Sequence, residues 1–156
     1  MDEGNMKLFV IIQQRKRLPE INTLVETMWA PCISFSKAGN AKHFKHCTSL
    51  ALCWDKWIDD DKWNSHPKSK EYIYFHIPKV VNKYSPLSIE IANDALDVDR
   101  RAFYLAAYCI AKTSDGMISY DMTEWQSPTD FYKNHMELLG RSFEDTVDSS
   151  LKFSDM

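Results

Sequence analysis

Two stretches of the chain carry residue types that could do chemistry. The first is His43, His46 and Cys47, with Cys53 six residues on and Cys32 upstream. Imidazole and thiolate are the ligands zinc prefers, and a thiol with a histidine base is the ordinary nucleophile pair. The order H-x2-H-C-x5-C matches no familiar pair of ligand knuckles, so the favoured reading is exposed loop histidines beside buried small thiols. No glycine-bearing elbow surrounds any cysteine, and with four glycines in the chain no phosphate-cradling loop is visible. Carboxylate pairs such as Asp121 with Glu124, or Asp94 with Asp97, read as caps and solvated turn groups rather than as an acid–base dyad.

The second stretch is Trp54-Asp55-Lys56-Trp57-Ile58-Asp59-Asp60-Asp61-Lys62-Trp63, in which three tryptophans interleave with four aspartates. Folding explains it least. Trp54 and Trp57 can be core, but Asp55, Asp59, Asp60, Asp61 and Trp63 combine large rigid contact area with negative charge, the composition of a docking surface. Glu124 and Trp125, in the loop after the last strand, are a second candidate for the same face.

These groups need a scaffold. The 156 residues are 44% apolar and 26% charged, with 13% aromatics, which places the chain among single globular domains. The net charge of −3 offers no basic field for a phosphate backbone, so direct nucleic-acid binding is disfavoured and a basic protein partner fits better. No run approaches the ~20 apolar residues of a membrane span, and Leu8 to Ile12 is too short for a signal-peptide core. The expected place is the cytoplasm, with reduced thiols and no cofactor.

The expected fold class is α+β: one domain with a central mixed β-sheet and about three covering helices. Strands are predicted at Lys7 to Gln13, Cys32 to Ser36, Thr48 to Trp54, Glu71 to Ile77, Leu87 to Ala92 and Met117 to Asp121. The 48–58 segment also matches helical spacing; a strand to Trp54 is preferred because it gives Cys32 to Ser36 a hairpin partner. Helices are predicted at Pro19 to Trp29, from Asp97 or Asp99 to a stop at Gly116, and from Ser127–Pro128 to Gly140. Asp97 or Asp99 would cap the central helix. Residues 1–5 and about 147–156 are expected to be loose.

The segment Ile110 to Phe131, of the form IA-x2-SDGMIS-x-D-x3-W-x-SP-x2-F, resembles small bacterial cytoplasmic proteins in which a helix ending in a DG stop leads into a strand. Many of these are thought to be immunity proteins encoded beside polymorphic or contact-dependent toxins. The resemblance implies a non-enzymatic protein that binds a cognate toxin domain, such as a basic nuclease, and it carries over no binding residue. The alternative function is a small hydrolase or metal-dependent enzyme built on the His43, His46, Cys47 region.

Overall fold

A computed structural model describes residues 5–30 and 34–153. Strand β1 (Asn5–Ile11) leads through a 3-10 turn at Arg15–Arg17 to helix α1 (Ile21–Trp29), and then β2 (Phe35–Gly39) and β3 (Ser49–Trp54) form a hairpin. The short helix α2 (Lys56–Asp59) and a 3-10 turn at Asp61–Trp63 precede β4 (Ile73–His76) and β5 (Leu87–Ala92). Then come the long helix α3 (Asp97–Ser114), β6 (Met117–Ser119), and helices α4 (Pro128–Asn134), α5 (Met136–Leu139) and α6 (Phe143–Phe153).

The six strands form one sheet in the order β2-β3-β4-β5-β1-β6, and every neighbouring pair is antiparallel. The α+β class is therefore as expected, but the sheet is not mixed. The helical crossovers explain this. Helix α3 carries the chain from β5 over β1 to β6, and α1 carries it from β1 to β2 at the opposite edge. Each crossover joins strands of the same direction that are not neighbours, so no parallel ladder forms.

Alternation along the strands separates two faces. Leu8, Val10, Leu50, Leu52, Ile73, Phe75, Leu87, Ile89 and Ile91 are buried, whereas Asn5, Lys7, Tyr74 and His76 are exposed on the other side. Helices α1 and α3 complete the core with Leu24, Val25, Met28, Phe103, Ala106, Ala107 and Ile110. At α1, Leu24, Val25 and Met28 follow the predicted spacing; Pro19 lies just outside the helix, and Glu20 is the N-cap residue.

The two ends of α3 differ from expectation. Neither Asp97 nor Asp99 caps it: Leu96 is the N-cap residue, and the Val98 N–H donates instead to the Ser150 hydroxyl on α6. At the other end Asp115, at φ 60°, adopts the left-handed conformation, one residue before the predicted stop at Gly116. Aspartate tolerates that region better than most residues. Gly116 is needed for a different reason, because a Cβ there would lie 1.9 Å from the Ile11 carbonyl oxygen.

Residues 143–153 form α6 rather than a loose tail. The helix presents Thr146, Val147 and Ser150 to the interior, while Leu151 packs against the core. Two of its three buried positions are small hydroxyl residues, which a hydrophobic pattern does not register. Ser127 and Pro128 start α4 as predicted, with the Ser127 hydroxyl accepting from the Asp130 N–H. The predicted single helix breaks at His135 into α4 and α5.

The first hairpin is offset from expectation: β2 begins at Phe35, three residues later than predicted, and Cys32 lies outside the described residues. Arg15 anchors the far end of this region. Its guanidinium donates to the carbonyls of Lys45 (2.8 Å), Cys47 (3.0 Å) and Pro78 (2.6 Å).

Candidate functional site

The Trp54–Trp63 stretch divides into an inward and an outward half. Trp54 ends β3 and is buried; its indole N–H donates to Asp59 Oδ2 at 2.7 Å, and the same oxygen accepts from the Ser34 N–H. Asp55 is buried as well, accepting from the Ser36 hydroxyl at 2.7 Å with Lys70 Nζ 3.9 Å away. One residue on, α2 begins, and its first turn directs Lys56 into the core.

Lys56 is 0% exposed. Its ammonium lies 2.8 Å from Asp99 Oδ2, donates to the Lys68 carbonyl at 3.3 Å, and sits 5.7 and 5.3 Å from the ring centres of Trp54 and Trp63. Asp99 is also 0% exposed, and its other oxygen accepts from the Trp29 indole at 3.1 Å. Carboxylate, ammonium and two indole faces thus enclose one another, which is how a charge pair can be held out of water. Trp63 is fully buried against this pair, with its ring edge-on to Trp54 at 6.0 Å. Asp55 and Trp63, both expected on a docking surface, are therefore parts of the interior.

The outward half is different. Trp57 is 44% exposed and Ile58 53% exposed. Asp61 is exposed, and Asp59 and Asp60 are half-buried, with Asp60 accepting from the Lys62 N–H to cap the 3-10 turn. Helical phase accounts for the split: once Lys56 is fixed inward, the next two residues of a short helix point away. Trp57, a core candidate by its spacing, is thus turned to solvent together with Ile58. The one available signal was that Lys56 lies between two tryptophans.

Between this stretch and α6 lies a cleft of about 300 Å³, lined by Trp54, Asp59, Asp60, Lys62, Phe143, Glu144, Val147 and Asp148. The Trp54 and Phe143 rings lie 5.1 Å apart on its inner side, and Trp54 is buried. Four carboxylates and one ammonium line it. The α6 side has no counterpart in the sequence reading: Val147 and Asp148 fall in the stretch expected to be loose, and Phe143 and Glu144 precede it in no predicted element.

Glu124 and Trp125 do not join this surface. They follow β6, and β6 is four strand spacings from β3, about 19 Å across the sheet. Glu124 is exposed and Trp125 half-buried. The turn there is built by Asp121, whose carboxylate accepts from the Thr123 and Glu124 N–H groups at 2.9 and 3.1 Å. Those bonds hold its pKa down to about 2.

His43 and His46 come together, their rings edge-on with centres 6.3 Å apart. His43 Nδ1 lies 3.2 Å from Glu20, His46 is exposed, and the buried Cys47 thiol donates to the Ala41 carbonyl. Cys53 lies within β3, beyond a bend at Thr48, and burial pushes its thiol up to about 11. Among the described residues no group of three His, Cys, Asp or Glu side chains could hold a metal ion.

A second cleft, of about 370 Å³, is lined by residues including Asp97, Arg100, Tyr104, His135 and Arg141. His135 stacks on Tyr104 at 4.1 Å, with its Nε2 facing the Tyr120 hydroxyl, and burial lowers its pKa, assisted by Arg100. Arg141 is committed to structure: it donates to Asp97 (3.2 Å), Ser149 Oγ (3.0 Å) and the Asp145 carbonyl (3.1 Å), tying α6 to α3.

Comparison of the chain with protein-family models, with curated proteins and with solved structures finds no match in any of the three. Among the described residues no helix is long and apolar enough to cross a membrane.

Proposed function

We propose that this chain is a non-enzymatic protein-binding protein of the immunity type, which docks on a basic toxin domain, such as a nuclease, and neutralises it in the cytoplasm. The observation that carries this reading is the outward half of the 54–63 stretch. Trp57 and Ile58 are exposed side by side on a helix of four residues, followed directly by Asp59, Asp60 and Asp61. An exposed indole next to an isoleucine supplies the apolar anchor of a hot spot. The carboxylates beside it suit a partner whose own substrate is polyanionic and whose surface is therefore basic. The net charge of −3 has the same sign.

The direct experiment uses the reading frame next to this one. If its product ends in a toxic domain, co-expression with this chain restores growth, and the two purified proteins form a complex whose association slows as salt rises. Unrelieved toxicity, or a neighbour with no toxic domain, contradicts the proposal.

A further inference from the structure

We infer that the end of the sheet from which the 12–20, 40–48 and 77–86 loops leave rests on an anionic lipid surface, with Val80 and Tyr84 entering the interface and the cations around them holding the headgroups. Sheet register brings these loops to one end: Ser49 pairs with His76, His76 with Ser88 and Ser88 with Phe9. Arg15 then ties them to one another, donating to the Lys45 and Cys47 carbonyls of one loop and to the Pro78 and Lys79 carbonyls of another. Around that hub stand Lys16, Arg17, Lys42, Lys45, Lys79 and Lys83. All are exposed except the half-buried Lys45, and among the described residues none of them forms an ion pair. The same loops hold one carboxylate, Glu20, and it faces His43 at 3.2 Å. Asp115, in the neighbouring turn between α3 and β6, is matched by Lys112 in the last turn of α3. A net charge of −3 averages this field away, but a partner at this end meets the local charge.

The 77–86 loop adds an apolar component. Val80 is 72% exposed and Tyr84 80% exposed. Val80 precedes, and Tyr84 sits within, a turn closed by reciprocal backbone bonds between Asn82 and Ser85, and Asn82 Oδ1 accepts from the Tyr84 and Ser85 N–H groups. The tip is therefore held in shape before anything binds it, which lowers the ordering cost of association. Tyrosine suits a lipid boundary because its ring is apolar and its hydroxyl is not, and lysine stems lie along apolar surface while their ammonium groups stay with the headgroups. Lys83 is already placed for this, with its Nζ 5.1 Å from the centre of the Tyr84 ring. A nucleic acid would use the same cations and stack a base on Tyr84, but it would leave Val80 in water; a lipid surface takes both side chains. Strand β3 runs from Ser49 at this end to Trp54 at the other, so Trp57, Ile58 and their carboxylates lie at the opposite end and stay open to a protein partner.

The test is co-sedimentation of the full chain with phosphatidylcholine vesicles containing about one third phosphatidylglycerol, beside pure phosphatidylcholine vesicles and a labelled single-stranded oligothymidylate in the same buffer. The expected result is saturable binding to the anionic vesicles that weakens as salt rises, and none to the neutral ones. Each lysine at such a surface contributes about five-fold in affinity, so K79Q/K83Q should bind about twenty-fold more weakly. V80S/Y84S should bind about ten-fold more weakly and keep the native salt dependence. All four positions are exposed, so both variants should keep the native thermal midpoint. Equal binding to neutral vesicles, no binding to anionic ones, tighter binding to the oligonucleotide than to the vesicles, or variants that bind as the native chain does would each overturn the inference.

Discussion

The inward and outward halves of the Trp54–Trp63 stretch have almost the same composition and opposite duties. Trp63 and Asp55 are buried, whereas Trp57 and Asp61 face solvent, although all four lie within seven residues of Lys56. The deciding contact comes from elsewhere in the chain. Asp99, in the first turn of α3, is fully buried, and a buried carboxylate needs a cation. Lys56 supplies it, its stem brings α2 against the core, and the indoles of Trp54 and Trp63 close over the ammonium. A run of tryptophans and aspartates therefore cannot be taken as a single surface, since one long-range ion pair sorts it.

The largest effect should come from breaking that pair. Lys56→Ala leaves Asp99 buried and unpaired and should cost about 3–5 kcal/mol, read by urea unfolding. Lys56→Met together with Asp99→Asn keeps an acceptor for the Trp29 indole and should recover much of the loss; no recovery would mean that the pair's charge, not its shape, holds α2 in place. Trp63→Ala should follow, at about 3–5 kcal/mol, because it empties a fully buried site. Asp55→Ala should be smaller, about 1.5–3 kcal/mol, for the lost charge-assisted bond from Ser36.

On the outward half, Trp57→Ala should change stability by no more than about 0.5 kcal/mol. A loss comparable to that of Trp63→Ala would erase the distinction between the halves. The smallest effect concerns the turn after β6, where Asp121 is held at about 2, below its ordinary 3.8. A depressed carboxyl stabilises the fold above its ordinary value and loses that contribution as pH falls through the folded value. The Asp121→Asn variant should therefore show a weaker decline of stability between pH 4 and pH 2 than the native chain, in urea titrations at each pH.

Much of the scaffold was legible because its signals are local. Leu87, Ile89 and Ile91 alternate as a half-buried strand must, Leu24, Val25 and Met28 keep helical spacing, and Ser127–Pro128 marks a helix start. What escaped depends on contacts distant in sequence. The absence of parallel pairs follows from which strands the crossovers skip, and no single segment records that. Helix α6 hides its inner face behind Thr146 and Ser150, whose hydroxyls bond the Thr146 carbonyl, the Phe143 carbonyl and the start of α3. The candidate site was legible only in part. Its acidic residues stand out in sequence, but Trp57 and Ile58 are hidden by the phase that Lys56 imposes, and the α6 wall by the polar inner face of that helix.

The most direct measurement is the dissociation rate of the complex with the toxin domain proposed as partner, for the native chain and for W57A/I58A, alongside their urea midpoints. The account predicts unchanged stability and dissociation at least about ten-fold faster, as for loss of an interface anchor. Equal dissociation rates at equal stability would show that the exposed indole and isoleucine do not dock the partner.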